Sequence, residues 1–147
     1  LDYLENFIEL QKLRLDGNVE MSFHVERQVN SNLAVAPFII IPFVENAFKH
    51  VSQNRSSPNW ITMQLHFDQT QLNLIVSNSA SPQASGATDV VAYHGIGLKN
   101  VQRRLDLLYD GLYDLKIKHD DDRFQVELKL NLTELKTVEV NTLQMAQ

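Results

Sequence analysis

The chain has 147 residues, 44% hydrophobic and 21% charged, which suits one soluble α/β domain with a proper core and leaves no room for a second full domain. Eighteen acidic residues against thirteen basic ones, a net charge of −5, supply no basic field, so a nucleic-acid backbone is not an expected partner and any polyphosphate must be held locally. With no cysteine, disulfides, thiolate nucleophiles and cysteine-based zinc sites are all excluded, which fits a reducing cytosol.

No uninterrupted apolar run approaches the roughly 20 residues that cross a bilayer. The longest, Ala34 to Val44, is broken by Pro37 and Pro42. The chain starts without an initiator Met and already in a helical pattern, so a fragment of a longer protein is expected, with targeting or anchoring segments elsewhere.

From Leu1 to about Leu15, apolar residues at Leu1, Leu4, Ile8 and, beside them, Phe7, Leu10 and Leu13 predict an amphipathic helix ending at Gly17. Val19 to Val25 alternates apolar with polar residues and predicts a strand with one wet face, followed by a polar loop from Arg27 to Asn32. Pro37 to about Val51 predicts a helix apolar nearly all round, its start made ragged by the two prolines. Trp60 to Phe67 and Leu72 to Val76 alternate in period two, with Asp68 to Gln71 as a hairpin link. Ser77 to Tyr93, rich in Ser, Ala, Gly and Pro, predicts a long loop.

Leu98 to Tyr109 sets Leu98, Val101, Leu105 and Leu108 on one helical stripe. Leu112 to Ile117 and Phe124 to Leu132 predict a second hairpin, turning at His119 to Asp122, where Asp120, Asp121 and Asp122 form a solvated tip rather than a cation site. The tail from Thr133 carries no clear pattern. This order of elements predicts an α+β fold, a two-layer sandwich whose mixed sheet is covered on one face by helices.

Two constellations carry chemistry. Glu45, Asn46, Lys49 and His50 interrupt the otherwise greasy third segment, and at 100° per residue they share one arc of about 140°. On spacing alone a solvent-facing edge with a Glu45–Lys49 pair at i,i+4 is the favoured reading. His94-Gly95-Ile96-Gly97-Leu98-Lys99-Asn100 ends the long loop where a helix begins; glycines let backbone N–H groups approach a ligand, and the helix dipole favours phosphate there. Without a preceding strand the pattern does not support a dinucleotide fold, and by itself it reads first as a plain loop-to-helix junction.

In combination and order, the segments resemble the ATP-binding domain shared by gyrase-type ATPases, histidine kinases and MutL-type mismatch-repair proteins, the Bergerat-type fold. Phe43 to His50 resembles its Asn box and Gly95 to Asn100 its second glycine box. Tyr3-Leu4-Glu5, Gln11-Lys12-Leu13-Arg14, the Pro-rich helix into Glu45-Asn46-Ala47-Phe48-Lys49-His50, and Gly95-Ile96-Gly97-Leu98-Lys99-Asn100-Val101-Gln102-Arg103-Arg104-Leu105 are similar to the LytS-like sensor histidine kinases over residues 1 to about 132.

The resemblance implies Mg-ATP as ligand, with Asn46 holding Mg²⁺, Glu45 as general base, and Lys49 and His50 on phosphate oxygens. Gly95, Ile96, Gly97 and Leu98 would meet the phosphates through the helix start, beneath a lid formed by Ser79 to Tyr93. It further implies residues 1–16 as the end of a dimerisation helix or linker, 17–132 as the catalytic domain and 133–147 as a tail. A phosphoacceptor histidine upstream, a homodimer through upstream helices, a cognate response regulator and a cytoplasmic position in an inner-membrane sensor follow from the same resemblance.

One motif departs from the pattern. The family's strand before the lid ends in D-x-G-x-G, whose Asp binds the adenine amino group. Here those three slots read Ser77, Ser79 and Ser81, or, with a one-residue shift, Asn78 takes the Asp slot. Ser77 and Asn78 are therefore the candidate base contacts. The loss leaves a second reading open, a degenerate domain that keeps the fold and signals through dimer contacts. A chaperone- or gyrase-like ATPase is disfavoured by the kinase-type segment Leu1 to Arg14. The remaining histidines, His24, His66, His94 and His119, have no positioned partner in the sequence and are read as structural.

Overall fold

A computed structural model describes residues 2–15, 17–27, 37–53, 56–67, 70–81 and 96–132. In chain order the elements are helix α1 (Asp2–Lys12), strand β1 (Val19–Arg27), helix α2 (Pro37–His50), strands β2 (Asn59–Phe67) and β3 (Gln71–Ser79), helix α3 (Ile96–Leu108), and strands β4 (Tyr113–His119) and β5 (Arg123–Asn131). The strands form one sheet in the order β1-β2-β3-β5-β4. Among the described residues only β1 and β2 run parallel, joined through α2, and every other pair is antiparallel, so the sheet is mixed as the element order predicts.

Alternation decides which face is covered. Ile61, Met63, Leu65 and Phe67 of β2, Leu72, Leu74 and Val76 of β3, and Phe124, Val126, Leu128 and Leu130 of β5 are all buried. They meet Ile39, Phe43, Ala47 and Phe48 of α2, which lies on β2 and β3 and touches both α1 and α3. The opposite face of the sheet carries Gln64, His66, Glu127 and Lys129, where the pairs His66–Glu26 at 3.4 Å and Lys129–Glu127 at 3.7 Å are solvent-facing and contribute little. This is the two-layer α+β sandwich.

Pro37 opens α2 at a first-turn position where its missing N–H costs nothing, and Pro42 sits inside the helix without ending it. Burial on most sides of α2 offsets the lost bond. On α1 the apolar residues divide: Leu4 and Ile8 are buried against α2, whereas Tyr3, Leu10 and Leu13 are exposed. On α3 the buried stripe is Leu98, Val101, Leu105 and Tyr109 rather than Leu108, which is half exposed. The spacing 98, 101, 105, 109 follows the 3.6-residue turn more closely.

The strand end differs most from the sequence reading. Ser77, Asn78 and Ser79, expected in a loop, continue β3, because β5 extends far enough to pair with them, Ser77 with Gln125 and Ser79 with Arg123. Their low strand propensity yields to ladder hydrogen bonds supplied by the neighbour. At the far end, Gly111 has φ of 70°, the left-handed conformation that lets the chain reverse from α3 into β4. The rest of the expected lid, beyond Ser81, lies outside the described residues, as do His94 and Gly95 and the tail from residue 133.

Candidate functional site

The last two turns of α2 carry the polar arc. Ile39, Phe43, Val44, Ala47 and Phe48 are buried, so Glu45 and Lys49 are exposed, His50 is half-buried and Asn46 is 8% exposed. Two cavities flank the arc. One of about 620 Å³ lies toward α1 and the start of β1, with Gln11, Arg14, Asn18, Glu45, Lys49 and Ser52 among its walls. The other, of about 350 Å³, lies at the end of β3 and is walled by Lys49, His50, Ser52, Gln53, Ala80 and His119 among others. Lys49 borders both, so its ammonium can serve either side.

The end of β3 is tied to the end of α2 by a small buried network. The Ser52 N–H donates to the Ser79 carbonyl at 2.8 Å, and the Trp60 N–H donates to Ser79 Oγ at 2.9 Å. Ser52 Oγ lies 2.7 Å from Asn59 Oδ1 and 2.7 Å from Ser79 Oγ. The Asn59 oxygen only accepts, so the Ser52 proton goes there and the Ser79 hydroxyl donates to Ser52. Ser52, Asn59 and Ser79 are each less than a tenth exposed. Ser52 and Asn59 give no sequence signal, because single polar residues bordering a loop acquire partners only through strand register.

The two candidate base contacts separate onto opposite faces of the sheet. Ser77 faces away from α2 and donates to Gln125 Oε1 at 3.1 Å, although it is 1% exposed. Asn78, also 1% exposed, lies on the α2 side, where its Nδ2 donates to the Ser79 carbonyl at 2.9 Å and reaches the His50 carbonyl at 3.5 Å. Among the described residues its buried Oδ1 has no hydrogen-bond partner. Leu98 is 1% exposed and packs in the core, so at the start of α3 it can offer only its main-chain N–H. Gly97, in the first turn of α3, is exposed, and a Cβ there would meet nothing within 4 Å. Ile96 begins the helix. Among the described residues no cluster of His, Asp and Glu could hold a metal by itself, and no helix is long and apolar enough to cross a membrane.

No protein-family model matches the chain. Comparison with curated proteins finds sensor protein LytS of Staphylococcus saprophyticus, 34% identical over 134 residues, which takes in 86% of this chain and 22% of the relative. The chain belongs to the LytS-like sensor kinases. It spans about a fifth of the length of that relative. Among solved structures, the blue-light-activated histidine kinase EL346 of Erythrobacter litoralis superposes with a TM-score of 0.69 over 92% of this chain and 42% of its own, at 15% identity. The catalytic domain of histidine kinase ThkA superposes at 0.55 over 88% of this chain and 86% of its own, at 16% identity. The fold of this LytS-like chain is thus that of a histidine kinase catalytic domain.

Within that LytS-like fold His50 is held neutral. Burial lowers its pKa below the usual 6.5, and the neighbouring Lys49 ammonium lowers it further. A group whose folded pKa is depressed contributes stability above its unfolded pKa and loses it as pH falls through the folded one. The domain is therefore expected to lose stability as pH drops below about 6.5. Lys49→Gln should raise the His50 titration midpoint in an NMR pH series. An unchanged midpoint would show that Lys49 does not face the ring.

Proposed function

We propose that this chain binds Mg-ATP and acts as the catalytic domain of a two-component sensor histidine kinase, phosphorylating a histidine outside this chain. One observation carries the reading most directly: the polar arc of α2 meets the end of β3, where the buried Asn78 oxygen lacks a partner among the described residues. An unpaired buried acceptor costs about 1–3 kcal/mol, which a ligand N–H donor would recover.

The donor set fits the ligand. The Asn46 amide oxygen suits a hard cation whose charge is already balanced by phosphates. When bound, Mg²⁺ would neutralise charge on the transferring phosphoryl group. Lys49 supplies a mobile ammonium and His50 a neutral ring N–H for phosphate oxygens, while Glu45, exposed one residue before Asn46, can orient and deprotonate the acceptor imidazole. The N–H groups at the start of α3, around Ile96, Gly97 and Leu98, favour an anion. Ser77, turned to the other face of the sheet, is left out of this set, and Gly95 is carried by the resemblance alone.

The remaining assignments rest on family membership. Residues 1–16 serve as the end of a dimerisation helix or linker and 17–132 as the catalytic domain, followed by a tail over 133–147. The whole protein is a homodimer through helices upstream, signals to a response regulator, and holds this domain on the cytoplasmic side of an inner membrane. A second reading, a non-catalytic signalling module, is favoured by the loss of the Asp and both glycines of the first glycine box, whether Ser77 or Asn78 takes the Asp slot.

Fluorescence titration with a labelled ATP analogue and Mg²⁺, followed by a phosphotransfer assay on the full-length protein, separates the two. Saturable binding with a labelled histidine establishes the kinase; binding without transfer establishes the module. No binding at millimolar nucleotide removes the assigned site.

A further inference from the structure

On the face that α1 turns to α2, Leu4 and Ile8 are buried, and steps of four and three residues bring Gln11 onto the same stripe, where it is half-buried. A polar residue in this apolar position marks the place where the packing of α1 on α2 opens into the cavity of about 620 Å³. Beyond it the chain tightens: the Arg14 N–H donates to the Gln11 carbonyl at 3.0 Å and the Leu15 N–H to that of Lys12 at 3.1 Å, and Arg14 and Leu15 both join the cavity wall. The floor is apolar, with Phe48 and Val51 buried and Leu15 and Val19 half-buried. The rim is polar and carries Gln11, Arg14, Glu45 and Lys49.

Among the described residues, this cavity has Glu45 in its wall and the one at the end of β3 does not, while Lys49 borders both. His50 lines the β3-side cavity alone. We infer that the cavity between α1 and α2 receives the imidazole of the phosphoacceptor histidine, and that Gln11 and Arg14 are positioning residues for the polypeptide segment that carries it. This rests on the kinase reading above. An imidazole has apolar ring faces and polar edges, so it lies on the apolar floor with one ring N–H donated to the Glu45 carboxylate and the other nitrogen turned past Lys49 toward the nucleotide. That second nitrogen forms the bond to the γ-phosphorus as the bond from phosphorus to the ADP oxygen breaks, and the proton on the first nitrogen passes to Glu45. Gln11 and Arg14 both donate to main-chain carbonyls of the incoming segment, which fixes the ring without touching the nucleotide. Helix α1 is thereby part of the acceptor site and not only a connection to it.

The test compares the full-length protein with its Gln11→Leu and Arg14→Ala variants by thermal melts, by titration with a labelled ATP analogue and Mg²⁺, and by the rate of phosphoryl transfer to histidine. Leucine at position 11 continues the stripe of Leu4 and Ile8, so Gln11→Leu should melt no lower than the parent. Both variants should bind the analogue within about twofold of the parent, and transfer at saturating ATP should fall about ten- to a hundredfold, because a misplaced acceptor affects only the chemical step. A loss that reflected folding alone would appear in the melts and in the analogue affinity together.

Transfer at the parent's rate in both variants, with nucleotide bound, would overturn the inference and leave the kinase reading standing. Analogue affinity falling in step with transfer would overturn it as well, since the cavity would then belong to the nucleotide. A parent that binds no nucleotide at millimolar concentration, or binds it without labelling a histidine, would remove the kinase reading and the inference with it.

Discussion

Asn46→Asp is expected to weaken Mg-nucleotide binding about ten- to a hundredfold, while Ser77→Ala leaves it within about twofold. Asn46 lies 8% exposed on a helix whose neighbouring positions, Val44, Ala47 and Phe48, are buried, so its amide is held in place rather than free to swing away. A carboxylate there adds negative charge beside phosphates and removes the amide donor, and like charges at such range shift an equilibrium by one to two powers of ten. Ser77 bonds to Gln125 on the far face of the sheet, so its loss costs about 1 kcal/mol of stability and touches no ligand. Titration of a labelled ATP analogue measures both variants, with circular dichroism melts to show that each is folded. If Asn46→Asp binds like the parent while folded, or if Ser77→Ala binds tenfold more weakly, the site lies elsewhere.

Phe43→Ala should cost about 3–5 kcal/mol of folding free energy, a large part of the roughly 5–15 kcal/mol that such a domain possesses. Its ring is fully buried, and its helix, α2, packs against the sheet, α1 and α3, so the vacated space borders three layers of contacts. Leu107→Ala, by contrast, removes a side chain 77% exposed on α3 and should change stability by less than about 0.5 kcal/mol. Urea denaturation of the two variants measures the difference. A loss under about 1.5 kcal/mol for Phe43→Ala would mean that α2 is not the keystone of the core. Because α2 also carries Asn46, Lys49 and His50, the same substitution should weaken nucleotide binding through disorder of the arc.

Much of this fold is legible in order and periodicity. Period-two alternation in Trp60 to Phe67 and Phe124 to Leu132 fixes which side chains are buried, and the apolar run into Glu45, interrupted by Pro37 and Pro42, marks α2 as the buried helix with one wet stripe. The arc of Glu45, Asn46, Lys49 and His50 follows from helix geometry alone, since the 100° step depends on the backbone and not on neighbours. Local signals of this kind need no tertiary information.

The end of β3 is a different case. Ser77, Asn78 and Ser79 have the composition of a loop, and pairing with Gln125, Phe124 and Arg123 on one side and with Thr62 and Ile61 on the other makes them strand. Once they are strand, the period of two sends Ser77 to one face and Asn78 to the other, which separates two candidates that stand side by side in the motif. The Ser52–Asn59–Ser79 network likewise joins residues 7 and 27 positions apart, and it exists because β2 and β3 bring them together. The helices, the alternation and the polar arc are legible along the chain because each is set within a few neighbouring residues. Which polar side chain faces the arc was decided by strand register, a property of two segments far apart in sequence whose hydrogen bonds form only when the sheet does.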